Sequence, residues 1–189
     1  AEPNRGTRTI ANDLPTIAHF LNGGRPMHGN GFRALVAGGG TGDATVHLAG
    51  QLATQDPEAE VVHIDLSEPS MEIARQRIDA LGLTNVRFEL CNLLELTPET
   101  FGLFDYINCS GVLHHLPDTQ AGLQCLVDVL KPEGGVSVML YGAYGRIGVY
   151  QIQDMMRRLS TGQETDIAQV AWPPGNGFIR PRMDAGSLC

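Results

Sequence analysis

Three groups of residues have the types and spacing to do chemistry. The first is the run Gly38-Gly-Gly-Thr-Gly42, preceded by the apolar Ala34-Leu-Val-Ala37 and followed by Asp43 to Ala49. Glycines at 38, 40 and 42 let a backbone turn sharply and approach a ligand with no Cβ in between. The second group is Asp65, closing Val61-Val-His-Ile-Asp65, and Asn92, just after Val86-Arg-Phe-Glu-Leu90. A carboxylate at 65 either accepts two hydrogen bonds from a ribose diol or caps the helix that follows. An amide at 92 either matches the donor and acceptor of an adenine edge or serves an ordinary turn. The third group is His114-His115, after Phe104-Asp-Tyr-Ile-Asn-Cys109. His114 is read as facing the pocket, as a base or substrate contact, against the alternative of a packed or helix-end histidine; an imidazole suits a general base only if the acceptor must lose a proton.

The glycine spacing separates ligand classes. A dinucleotide fingerprint needs Gly-x-Gly-x-x-Gly. From Gly38 the sixth position is Asp43, from Gly39 the third is Thr41, and from Gly40 the sixth is Thr45, so every register fails. Gly-x-Gly-x-Gly fits. With no Tyr-x-x-x-Lys pair either, an NAD(P)-binding oxidoreductase is the disfavoured reading. His47, inside a helix, and His63, inside a strand, read as packing or surface residues. No His/Asp/Glu cluster has metal-ligand spacing, so no metal is implied.

The elements that must position these residues follow from periodicity. Five apolar segments read as strands: Ala34–Ala37, Val61–Asp65, Val86–Leu90, Phe104–Cys109 and Val136–Tyr141, the last after a turn at Lys131-Pro-Glu-Gly-Gly135. Asp43 opens a first helix. Ser67 and Pro69 open a second, with Met71, Ala74, Ile78 and Leu81 on one face and Gly82 to end it. A further helix carries Leu123, Val127 and Leu130 on one face, and Val149–Leu159 is amphipathic. Alternating strands and helices predict an α/β fold, a three-layer, Rossmann-like, doubly wound and mostly parallel sheet. Residues 1–31 read as a lead-in, loosely packed or a lid, with a short helix over Leu14–Leu21 and Asp13 as its N-cap. Residues 32–160 form the main domain, and 161–189 a Pro/Gly-rich tail.

Composition narrows the classes. The 189 residues carry a net charge of −8, against a broad nucleic-acid surface. No apolar run approaches the roughly 20 residues of a membrane span, and the N-terminus lacks a secretory segment. Cys91, Cys109, Cys125 and Cys189 are scattered, as expected of a reducing compartment such as the cytoplasm.

In order and spacing, Gly38-Gly-Gly-Thr-Gly42, Asp65-Leu-Ser, Cys91-Asn92-Leu93, the stretch Phe104 to Pro117 and Leu130-Lys-Pro-Glu-Gly-Gly135 resemble the class I S-adenosylmethionine-dependent methyltransferases, over about residues 34–141. The resemblance implies S-adenosylmethionine as cofactor and methyl transfer to a small-molecule or protein acceptor. It implies that Ala37, Gly38, Gly40 and Gly42 hold the methionine part, Asp65 and Leu66 the ribose side, and Asn92 and Leu93 the adenine. Cys109 and Ser110 would border the amino acid part and the methyl, and His115 matches a common structural position; Tyr141, Tyr144 and Arg146, from their place after the fifth strand, either shape an acceptor site or, for the aromatics, belong to the core. The chain departs from the family in Ala37, where an acid is frequent, in Asn92, where Asp is common, and in lacking a convincing antiparallel pair after the fifth strand. It therefore reads as a shortened form, with a sheet edge left for its tail, a second copy or a partner to cover. The alternative is a non-catalytic module that keeps the fold.

Overall fold

A computed structural model describes residues 12–23, 31–142 and 144–159. The chain divides into two compact units, Ala1–Tyr141 and Gly142–Cys189. In the first, β1 (Arg33–Ala37), β2 (Glu60–Asp65), β3 (Val86–Leu90), β4 (Phe104–Ser110) and β5 (Leu130–Met139) form one sheet in the order β3-β2-β1-β4-β5. Every pair is parallel, so the doubly wound α/β architecture read from the sequence is the observed one.

Alternation along the strands sorts side chains into two cores, as a period of two demands. Ala34 and Val36 of β1, Val61 of β2 and Tyr106 of β4 face one layer, with α1 (Leu14–Asn22) and α2 (Asp43–Gln55). Leu35, Ala37, Val62, Ile64, Ile107 and Cys109 face the other, against Leu113, Leu126 and Phe101. α3 (Glu68–Ala80) begins at Ser67, whose hydroxyl accepts the Ser70 amide at 3.3 Å, and buries Met71, Ala74 and Ile78. α4 (Pro98–Phe101) is a single turn. α5 (Thr119–Asp128) starts at Asp118, whose carboxylate accepts the Gln120 and Ala121 amides at 2.9 and 3.0 Å.

The starts of the strands are fixed by charge. Arg33 pairs with Glu60 at 2.9 Å, and Lys131 with Asp105 at 2.7 Å. Asp105 also accepts the Arg33 backbone amide at 2.9 Å, tying the beginnings of β1, β4 and β5 together.

Three expectations are corrected. Lys131–Gly135 is not a turn ahead of the fifth strand but part of β5, which starts at Leu130 and bulges between its pairings with Phe104 and Tyr106; it ends at Met139 rather than Tyr141. β5 is the outer strand among the described residues, where proline costs no ladder bond. α5 buries Gly122 and Leu126, while Leu123 and Val127 stay partly exposed and Leu130 belongs to β5. Glycine at 122 sets that face, since a Cβ there would lie 3.1 Å from Leu113 Cδ2. Finally, α1 packs Leu14, Ile17 and Ala18 into the core, so this stretch is not loosely packed. Asp13 makes no side-chain cap; the Leu14 amide donates to Gln51 Oε1 at 2.9 Å instead.

In the second unit α6 spans Ile147–Leu159, with Arg158 paired to Asp154 at 2.8 Å. The tail expected over 161–189 and the lead-in before Asn12 lie outside the described residues. Among the described residues no helix is long and apolar enough to cross a membrane.

Candidate functional site

In a parallel sheet, a crevice opens beyond the carboxyl ends of the strands where the strand order reverses. Here the reversal lies between β1 and β4, and a cavity of about 360 Å³ occupies it, within the size range of small-molecule sites. Its wall takes Gly38 from the end of β1, Ile64, Asp65 and Leu66 from the end of β2, and Cys91, Asn92 and Leu93 from the end of β3. Gly111, Val112, His115 and Leu116, beyond β4, complete it.

The glycine turn is built on β2. The Gly38 and Gly39 amides both donate to the Ile64 carbonyl, at 2.9 and 3.0 Å, and the Gly40 amide donates to Asp65 Oδ2 at 2.8 Å. The Gly42 amide donates to the Gly39 carbonyl at 2.9 Å. Gly38, Gly40 and Gly42 all have positive φ (68°, 53° and 90°), which is what this path requires of them. Their surroundings differ. A Cβ at 42 would lie 2.8 Å from the Ala74 methyl, where α2 meets α3, whereas a Cβ at 40 would meet nothing within 4 Å. Gly42 is thus a packing glycine, and Gly40 borders open space.

Asp65 braces two turns at once: Oδ2 holds Gly40, and Oδ1 accepts the Ser67 amide at 2.8 Å. Each carboxylate oxygen retains acceptor capacity, and the residue lines the cavity. Asn92 uses its side-chain oxygen to accept the Leu94 amide at 3.0 Å, capping the 3-10 turn Leu93–Glu95. Both readings of Asn92 therefore meet in one residue. Its acceptor serves the turn, and its NH₂ donors are what it has for a ligand.

Other expected residues sit elsewhere. Ala37 is buried at the end of β1, in the core beneath the cavity. Cys109 is wholly buried in the same core, and burial pushes its thiol up to about 11. Ser110, on the opposite face of β4, is buried at the strand end and is not part of the cavity wall. The two histidines are exchanged relative to expectation: His115 lines the cavity, while His114 stacks on Tyr141 with ring centroids 3.7 Å apart. His115 lies against His114 at 4.2 Å and edge-on to Tyr141 at 6.0 Å. Tyr144 and Arg146 belong to the second unit.

Sequence reasoning missed Ile64, Cys91, Gly111, Val112 and Leu116 as wall residues. Cys91 also has its thiol pushed up, first by burial and then by Glu95 and Glu89. The available signal was position, since Cys91, Gly111 and Val112 lie within two residues of a strand end. Among the described residues no three His, Cys, Asp or Glu side chains group as metal ligands.

This geometry has known counterparts. A family model for the methyltransferase domain matches residues 35–136, more than half of the chain. The chain belongs to that family, the class I S-adenosylmethionine-dependent methyltransferases. An uncharacterized Synechococcus protein is 34% identical over 153 residues, covering 80% of this chain and 35% of its own length. The demethylmenaquinone methyltransferase of Bacillus cereus is 35% identical over 106 residues, covering 56% of this chain and 43% of its own. The chain thus spans less than half the length of either relative. Among solved structures, PKMT2 from Rickettsia typhi in complex with AdoHcy superposes with a TM-score of 0.60 at 26% identity, over 74% of this chain and 27% of that one.

Proposed function

We propose that this chain binds S-adenosylmethionine in the cavity and transfers its methyl group to a small-molecule or protein acceptor. The observation that carries the reading is the commitment of the glycine-turn amides. A pyrophosphate is held by such amides at a helix N-terminus. Here those of Gly38, Gly39, Gly40 and Gly42 are spent on Ile64, Asp65 and Gly39. Asp65 stands beside the turn and lines the cavity, while Asp43, in the first turn of α2, is paired with Arg77 at 2.7 Å. The committed glycine amides and the Asp65 carboxylate together disfavour a phosphate-bearing dinucleotide and suit a ligand carrying sulfonium and ammonium charges.

The residues present fit the cofactor. The remaining lone pairs of Asp65 would take the ribose diol, with Leu66 beside it. Asn92 and Leu93 would meet the adenine, with the Asn92 amide as donor. The turn from Gly38 through Gly40 would hold the methionine part, Gly42 fixing the turn against α3. Ala37 and Cys109 would support that end from the core, and Ser110 would border it at the end of β4. The bound cofactor supplies an activated methyl for in-line displacement; the chain supplies alignment and exclusion of water. His115, on the cavity wall, would take a proton from an acceptor that must lose one. His114, expected in that role, would instead position His115 through the stack on Tyr141.

The name of the demethylmenaquinone methyltransferase relative supports the small-molecule side of the acceptor reading. Free thiols at Cys91, Cys109 and Cys125 support a reducing, cytoplasmic setting. A second copy or a partner laid along the β5 edge belongs to the same proposal, and light scattering tests it.

Calorimetric titration with S-adenosylmethionine and S-adenosylhomocysteine, with NADH and NADPH as controls, tests the cofactor reading. Selective adenosyl binding supports it; preference for a nicotinamide ligand overturns it. A chain that binds cofactor but methylates no compound in a quinol, amine and peptide panel is the non-catalytic module.

A further inference from the structure

The strongest unused group in the molecule is His63. It lies in the middle of β2 with no exposed surface, on the face turned to α2. Its ring fills the space beneath the glycine turn: a Cβ at Gly39 would overlap it, lying 2.9 Å from Nε2 and closer still to Cε1 and Nδ1. Nδ1 is hydrogen-bonded to Thr45 Oγ1 at 2.7 Å, and Thr45 is itself fully buried in the first turn of α2. On the β3 side the ring meets Phe88, centroids 5.0 Å apart. One imidazole therefore touches both ends of the turn, Gly39 where it leaves β1 and Thr45 where it enters α2.

We propose that neutral His63 is the positioning residue of the glycine turn, and that a proton added to its ring loosens the turn and weakens cofactor binding. The proposal rests on the cofactor reading given above. Its basis is the state of Nε2, which is buried and has no hydrogen-bond partner among the described residues. In the neutral ring this atom can remain a bare acceptor. In the imidazolium it becomes a charged donor with no solvent-exposed surface and no acceptor among the described residues, which a buried site tolerates poorly. The charged groups that reach the ring are Asp65 from its own strand, which favours the proton, and Arg75 from α3, which opposes it. The other elements packed on it present Thr45, Gly39, Phe88 and, in register on β1, Val36, none of which titrates here. The ring moves on protonation against Gly39, whose amide shares the Ile64 carbonyl with Gly38, so the disturbance enters the cavity wall directly.

The test uses the purified chain and S-adenosylhomocysteine, with affinity measured by calorimetry between about pH 8 and pH 5.5 and the His63 and His115 imidazole signals followed by NMR. Affinity is expected to fall about fivefold or more across the His63 titration, a coupling of ordinary size. Because linkage is reciprocal, saturating ligand must lower the His63 midpoint by the logarithm of the same factor. The variant His63→Asn keeps a polar group for Thr45 and has nothing to protonate; its profile, taken relative to its own affinity at about pH 8, loses the His63 step. His63→Ala binds weakly at every pH. A His63 midpoint unmoved by ligand, or a step that persists unchanged in His63→Asn, overturns the proposal and leaves the cofactor reading standing. No binding at about pH 8 overturns both. If His63→Asn does not fold, the midpoint shift in the parent chain decides alone.

Discussion

Gly38, at the end of β1, lies directly against the side chain of Val112. A Cβ at 38 would sit 3.1 Å from Val112 Cγ1 and inside the contact radius of Cγ2, and the backbone there has φ of 68°. Two walls of the cavity meet at this contact. Gly38→Ala is expected to lose about 1–3 kcal/mol from overpacking and left-handed strain together, read as a lower urea midpoint. Adding Val112→Ala should relieve the overpacking and leave the strain, so the double variant falls between the two, a coupling measured by a double-mutant cycle.

Asp65 carries two separable jobs, and substitution separates them. Asp65→Ala removes the acceptor for Gly40 and Ser67 as well as the charge. Loss of adenosyl-ligand affinity of about tenfold to a hundredfold is expected by calorimetry. Asp65→Asn keeps one carbonyl oxygen and should retain more of the thermal stability than of the affinity.

The buried imidazole also sets a pH dependence of folding. Burial holds His63 below the ordinary value of 6.5, with Asp65 opposing that shift and Arg75 adding to it. Below the ordinary value the unfolded chain binds more protons than the folded one, so stability falls as pH falls. The His63 contribution is present in full above pH 6.5 and is lost as pH drops through its lower folded-state value. Urea midpoints at several pH values should show this slope, and His63→Asn should flatten it.

Thiol accessibility gives a third handle on the cavity. Cys109 is fully buried, with its thiol pushed up to about 11, so iodoacetamide should leave it unmodified until the chain unfolds. Cys91 and Cys125 are partly exposed, and only Cys91 lines the cavity. Peptide mapping should find slow alkylation of Cys91 that S-adenosylhomocysteine suppresses, while Cys125 reacts at an unchanged rate.

Much of the fold is legible in the sequence because its signals are local. Ala34–Ala37 and Val61–Asp65 are apolar runs too short for helices, and Ser67 with Pro69 marks the start of α3 by capping chemistry. Asp65 is legible as a wall residue because an acid closing a buried strand beside a glycine turn stands at the carboxyl end of the sheet, where the cavity opens. What failed depends on tertiary context. Lys131-Pro-Glu-Gly-Gly135 has turn composition, yet an edge strand tolerates proline, and β5 absorbs it with a bulge. His114 and His115 are adjacent in a 3-10 turn, and the packing of Tyr141 decides which of them reaches the cavity. Cys109 was legible by another route: alternation along β4 gives it the face of Ile107, inside the core.

The ion pairs of Arg33 with Glu60 and Lys131 with Asp105 lie where the strands begin, and the cavity lies where they end. Strand alignment and ligand recognition are therefore anchored at opposite rims of one sheet. The segment following β4, which supplies Gly111, Val112, His115 and Leu116 to the cavity wall, can then be exchanged for that of another family member without resetting the alignment beneath it. Reshaping the cavity wall becomes a problem of loop surgery rather than of refolding, with the charged rim serving as the fixture.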